Sequence, residues 1–216
     1  MIVAIDGPAG AGKSTVSLRL AERLGFVRLD TGALYRVAAL AALRAGRGVD
    51  DPGLEPFVKG LDIVVESDRI TLEGEDVSDA IRTSQISEAA STYAAIPGVR
   101  AALLALQRRL GHMQDTVVDG RDIGTVVFPA AEVKIFLTAK PEERARRRLA
   151  ELAARGESAS FEAVLAEIVA RDKRDSERAV APLRRADDAV EVDTSALDFD
   201  GAVAACAAVV ADKTGR

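Results

Sequence analysis

Residues 7–14 read Gly7-Pro8-Ala9-Gly10-Ala11-Gly12-Lys13-Ser14 and fit G-x-x-x-x-G-K-[ST] at every fixed position. The glycines let successive backbone N–H groups turn inward toward an anion, and a helix starting behind them adds partial positive charge. Lys13 has the reach for β- and γ-phosphates, and the Ser14 hydroxyl can ligate Mg²⁺. The pattern sits between an apolar strand and a helix, the context such a loop requires. Taken alone, it does not separate a kinase from a GTPase or a motor ATPase.

The remaining chemistry-bearing residues are mostly arginines. A kinase that phosphorylates a hydroxyl usually recruits a base for that proton. One whose acceptor is already a phosphate needs cations instead, to hold two anions together. The single histidine, His112, lies in the polar stretch GHMQD and reads as an exposed helix end. Arg36, Arg100, Arg121, Arg171, Arg174 and Arg178 recur at segment ends. Arg36 and Arg121 each follow an apolar strand, at the sheet edge where ligands of α/β proteins bind. Arg171, Arg174 and Arg178 share one helix face with Asp175 beside it, although a self-paired Asp/Arg helix would look the same. The run Arg144, Arg146, Arg147, Arg148 is balanced by Glu142, Glu143 and Glu151. Most of it should be solvated, with one or two members free to line a lid over ATP.

These residues need a scaffold, and the pattern supplies one. IVAID (2–6), FVRLD (26–30), TVVDG (116–120), VKIFLTA (133–139) and AVEVDTS (189–195) read as short strands. Helices are expected over 14–24, closed by Gly25, over 34–45, over 141–155, ended by Gly156, over 161–178, and after Asp198. Residues 84–111 read as two helices broken at Pro97, and 47–56 as a loop. LDIVVES (61–67) and RITLEGEDV (69–77) read as two strands joined by a tight turn at Ser67-Asp68. A hairpin inside a strand–helix alternation suggests an insertion. The expected fold is therefore α/β, a five-stranded parallel sheet with helices on both faces and a small inserted antiparallel piece.

A length of 216 residues and 48% hydrophobic content suit a packed core. The net charge of −5 gives no domain-wide basic excess, so neither nucleic acid nor a membrane surface is the expected partner. No apolar run approaches the length of a membrane span, and no secretory signal is apparent at the start, so a cytoplasmic protein is expected, as a monomer. Cys206, the one cysteine, falls in AVAACAAVVA and reads as a buried small hydrophobe.

The segments GPAGAGKST, LDTGALYR (29–36), LEGEDVSDAIRT (72–83), VDGRDIGTVVFP (118–129) and RDKRDSERAVAPL (171–183) together resemble the bacterial cytidylate kinases, nucleoside monophosphate kinases of the P-loop class. The resemblance runs from about residue 2 to residue 194. It implies one P-loop kinase domain over 1–216, with an inserted monophosphate-binding subdomain near 55–95 and a short lid near 148–160. It implies the reaction ATP + CMP to ADP + CDP with Mg²⁺, with dCMP as a further acceptor. On this chain Gly7 through Thr15 would hold ATP phosphates, with Lys13 catalytic. Arg36 and Arg121 would hold the CMP phosphate, while Ser91, Arg100 and Asp122 would read cytosine. Arg171 and Asp175 would reach the ribose region, Arg178 would approach the transferring phosphoryl, and Thr31 keeps a hydroxyl where the family also uses serine.

The chemistry of cytosine agrees. A carboxylate suits its N4 amino donor and a guanidinium its N3 and O2 acceptors, and Asp122 with Arg100 supplies that pair. Asp119, at a strand end, stands where a carboxylate would approach Mg²⁺ through water, and a strand-end capping role accounts for it equally well. Other readings are a small P-loop kinase acting on AMP, UMP or a hydroxyl such as that of shikimate, or a nucleotide-binding regulatory protein without turnover. The carboxylate–arginine pair favours cytosine over uracil, and the net charge disfavours the regulatory reading.

Overall fold

The computed structural model describes residues 1–66 and 69–215, which form two compact units, Met1–Arg28 with Gln114–Arg216, and Leu29–Met113. The first unit opens with β1 (Ile2–Asp6), buried along its whole length as its unbroken apolar run demands. α1 (Lys13–Leu24) follows the phosphate loop and buries Val16, Leu20 and Ala21 on one stripe. Gly25, left-handed at φ 69°, ends it. β2 (Val27–Asp30) starts in this unit, where the Val27 N–H donates to the Asp115 carbonyl at 3.0 Å, and finishes in the other.

The second unit contains α2 (Thr31–Arg44), α3 (Leu54–Lys59), β3 (Ile63–Glu66), β4 (Arg69–Leu72), β5 (Glu75–Asp76), a 3₁₀ turn at Ala80–Arg82, α4 (Ser84–Tyr93) and α5 (Pro97–Gly111). Pro97 opens α5, where its missing N–H costs nothing. Two expectations need correction. The strand expected over 69–77 is split, because Glu73 (φ 50°) and Gly74 (φ 79°) are both left-handed and reverse the chain, so β5 returns antiparallel on β4. The loop expected over 47–56 holds over 47–53 and ends early, at α3, which accepts Pro56 in its first turn, where no helical N–H is needed. The turn expected at Ser67-Asp68 lies outside the described residues. Leu34, Val37, Leu54, Leu72, Val99 and Leu103 form the core of this unit.

The chain re-enters the first unit with β6 (Thr116–Gly120), a π-helical turn at Ile123–Val127, β7 (Val133–Thr138), α6 (Pro141–Ala154), α7 (Phe161–Glu177), β8 (Val190–Asp193) and α8 (Phe199–Thr214). The five-stranded sheet has the order β2-β6-β1-β7-β8, with β1 parallel to both β6 and β7 and β8 parallel to β7. Counted among its own members, that order is 2-3-1-4-5, a parallel sheet with its first strand at the centre. Asp6 pairs in register with Gly120, so β1 and β6 end level with each other. Val3, Ile5, Leu20, Val117, Ile135, Leu137 and Val210 form the core, with Cys206 fully buried among them. Burial pushes its thiol up to about 12, which makes it an inert packing residue.

Candidate active site

Residues 7–12 cross from the end of β1 to the start of α1. Gly7 sits at φ 151°, and a Cβ there would lie 1.9 Å from the Leu137 carbonyl oxygen of β7, so no other residue fits. α1 begins with no side-chain cap and no acid in its first turn, which leaves its N–H groups available to an anion. Lys13 is buried, its Nζ donating to the Pro8 carbonyl at 2.7 Å. Burial, and then the neighbouring Arg121 and Arg171 guanidinium groups, hold its ammonium well below the ordinary value, partly offset by Asp119 and Asp175. Such a crowd of cations is suited to polyphosphate, whose charge would favour the protonated lysine. Ser14 and Thr15 are exposed on the first turn of the helix.

Asp119, buried near the end of β6, accepts from Ser17 Oγ at 2.7 Å and from Arg28 Nε at 3.1 Å. Arg28 Nε also donates to Ser17 Oγ at 2.9 Å. The carboxylate is thereby fixed beside the phosphate-loop helix, and Arg28 is a contributor that sequence reasoning did not single out.

The chain leaving β6 carries the next group. Arg121 Nε donates to Asp175 Oδ2 of α7 at 3.0 Å. Asp122 is buried, and its Oδ1 accepts from Arg178 at 3.4 Å. Arg178 terminates α7, and its Nε also donates to the Ala181 carbonyl at 2.6 Å. Ala181 is left-handed at φ 51°, a conformation that costs energy for a residue with a Cβ. Arg171 is half-buried on the same helix. Asp175 of α7 and Arg178 at its C-cap thus pair with the segment after β6, while Arg178, expected inside the helix, lies just beyond it in extended backbone.

In the second unit, Thr31 opens α2 and is buried. One oxygen of Asp30 caps that helix, accepting from the Ala33 N–H at 3.0 Å, and the other accepts from Arg36 at 2.8 Å. Ser91 is buried on α4. Arg100 is buried in the first turn of α5, donates to the Ala94 carbonyl at 3.3 Å and lies 5.3 Å from the Tyr35 ring centre. His112 is the exposed C-cap of α5.

Two further residues escaped the sequence reading. Arg144 was expected among solvated charges but is buried. It donates to the carbonyls of Ala139 (2.9 Å) and Ala9 (3.0 Å) and to Asp172 Oδ2 (2.6 Å), tying the phosphate loop to α6 and α7. Its local balance with Glu142 and Glu143 masked acceptors far away in the chain. Asp6, an acid closing an apolar strand, is buried and bonded to two backbone N–H groups at 2.7 Å. A charge at the end of an otherwise apolar run was the available signal. Among the described residues, no cluster of three or more metal-binding side chains occurs, and no single helix is long and apolar enough to cross a membrane.

A parallel sheet of order 2-3-1-4-5 with a phosphate loop after its central strand defines a P-loop nucleotide-binding protein. The structure is similar to a shikimate kinase from Bacteroides thetaiotaomicron (TM-score 0.51, 11% identity, 100% of this chain and 99% of that one), a likeness of fold alone. The family model for cytidylate kinase matches residues 3–212. Proteins named cytidylate kinase are 52% identical in Geobacter sp. strain M21 (93% of this chain, 88% of that protein) and 51% identical in Vibrio cholerae (94% and 92%). One from Rhodococcus jostii is 48% identical over 100% of this chain and 96% of its own length. The chain belongs to the cytidylate kinase family.

Proposed function

We propose that the chain transfers the γ-phosphoryl of ATP to CMP, giving ADP and CDP, and accepts dCMP in the same way. One observation carries this most directly. The strand feeding the phosphate loop and the strand feeding Arg121-Asp122 are hydrogen-bonded neighbours that end level, Asp6 opposite Gly120. The residues we assign to the triphosphate and those we assign to the acceptor thus follow strands that end side by side.

In this reading Gly7 to Thr15 bind the ATP phosphates. Arg36 and Arg121 clamp the CMP phosphate, and Thr31, Ser91, Arg100 and Asp122 orient the nucleoside. Arg171 and Asp175 serve the ribose side. Lys13, Arg121, Arg171 and Arg178 follow the charge that spreads over the transferring phosphoryl. No general base is required, because the CMP phosphate oxygen is already ionised. Mg²⁺ suits the donor set, since the Ser14 hydroxyl and the fixed Asp119 carboxylate offer hard oxygen ligands and Mg²⁺ otherwise keeps waters and phosphate oxygens. When bound, the ion would neutralise phosphate charge. Residues 55–95 serve as the monophosphate-binding subdomain and 148–160 as a short lid. The protein acts as a cytoplasmic monomer.

A coupled ADP-release assay with CMP, dCMP, UMP, AMP and shikimate tests the proposal. Turnover should be highest with CMP or dCMP. Preference for any other acceptor, or none with all five, overturns it.

A further inference from the structure

The π-helical turn Ile123–Val127 follows directly on Arg121 and Asp122. Its N-cap residue is Asp122, and aspartate is among the residues that best cap a helix with their own side chain. Asp122 makes no such bond. Its carbonyl accepts from Val126 (2.9 Å) and Val127 (3.1 Å), so its backbone is committed to the turn, while its carboxylate points to Arg178.

The cap comes from elsewhere. Asp6, last residue of β1, places Oδ1 2.7 Å from the Ile123 N–H and Oδ2 2.7 Å from the Gly124 N–H. Both oxygens of one carboxylate are used, across 117 and 118 residues of chain. The close fit extends to Gly124, where a Cβ would lie 3.1 Å from Lys134 Cδ and 3.4 Å from Asp6 Oδ2. One residue further along the chain, Gly7 begins the phosphate loop.

We propose that Asp6 is a positioning residue for acceptor specificity: by capping the turn after Asp122 from the neighbouring strand, it keeps the Asp122 carboxylate from folding back onto the turn and leaves it for the acceptor base. Without Asp6, two buried N–H groups would lack partners, and Asp122, at the N-cap, has a carboxylate able to turn back to the Gly124 N–H. An Asp122 so turned would no longer accept from an amino group of the substrate. The same carboxylate joins the strand that carries the phosphate loop to the segment that carries Arg121, which keeps the two substrate-binding sets in register. The inference rests on the reading that Asp122 faces cytosine.

Asp6→Asn keeps the shape but offers one acceptor, its NH₂ facing an N–H that cannot accept. The variant should lower kcat/KM for CMP about tenfold and narrow the CMP/UMP preference, with KM for ATP within about twofold of wild type. A merely structural role would lower thermal stability and leave the CMP/UMP ratio and CMP KM unchanged, and that result overturns the proposal. Asp122→Asn in parallel separates the two ideas. If it narrows the ratio and a folded Asp6→Asn does not, the base reading stands and the positioning role falls. If wild type itself does not prefer CMP, the base reading falls first. Should Asp6→Asn not fold, amide exchange in the wild-type protein decides: Ile123 and Gly124 N–H groups as protected as those of β1 support the cap, and exchange at loop rates overturns it.

Discussion

α1 and α2 each carry a cation assigned to phosphate, and their N-termini are built in opposite ways. α1 starts without a side-chain cap or an acid in its first turn, so its N–H groups are open to an anion. α2 starts with Asp30, whose two oxygens take the Ala33 N–H and Arg36. Where the backbone itself is the proposed binding surface, many N–H groups would grip phosphate and Lys13 would add a side-chain charge. Where the first turn is already capped, only a side chain can reach the ligand, and a forked guanidinium suits that task. The turn after Asp122 is a third case, capped from another strand so that its own aspartate is spared.

The largest expected break falls on the backbone-built site. Lys13→Ala should leave a folded protein with kcat lower by about a hundredfold or more, since the lysine follows charge onto the moving phosphoryl. Near-native turnover in a folded variant would mean that the loop N–H groups alone suffice, and the contrast with α2 would lose its point.

Next is the spared aspartate. Asp122→Asn should lower kcat/KM for CMP and narrow the CMP/UMP preference by roughly tenfold or more, because an amide can turn its NH₂ toward the O4 of uracil. If Asp122 serves only to hold Arg178, its observed partner, both substrates lose activity together and the ratio stays put.

These cases show what the sequence could and could not reveal. The phosphate loop was legible because its chemistry lies in glycines at fixed spacing, read over eight consecutive residues. β1, β6 and β7 were legible because their apolar residues run nearly unbroken, and α5 because Pro97 marks its start. Asp6 looked like a strand end, since its partners lie more than a hundred residues away. Arg144 looked solvated because its neighbours along the chain are acidic, whereas its acceptors are Ala9, Ala139 and Asp172. The π-helical turn was unreadable for a related reason. Thr125, Val126 and Val127 have little helical preference, and their conformation is held by Asp6 rather than by local propensity. Short-range rules find the parts of the site made of backbone and miss the side chains that brace it from afar.

Arg36→Lys tests the side-chain-built site with a smaller effect. Charge is kept, but the second parallel hydrogen bond to phosphate is lost. KM for CMP should rise by several-fold, up to about tenfold, with KM for ATP unchanged. An equal rise for both substrates would place Arg36 in a general charge network rather than in an acceptor clamp.

The finest distinction concerns Asp30, which does two jobs with two oxygens. Asp30→Ala removes both the cap on α2 and the partner of Arg36. Asp30→Asn keeps an acceptor for the Ala33 N–H, and asparagine caps about as well as aspartate. Its NH₂ would then face the Arg36 guanidinium, so the ion pair is lost in either variant. Stability should therefore follow the cap: a loss of about 1 kcal/mol for Ala and only a few tenths for Asn, read from urea midpoints at equal m. KM for CMP should follow the ion pair, rising by a similar factor of about two or three in both variants, because Arg36 loses the contact that holds it in place. If Asn destabilises the protein as much as Ala, the Asp30 charge rather than its cap supports α2. If only Ala raises KM, Arg36 is positioned by the helix and not by Asp30.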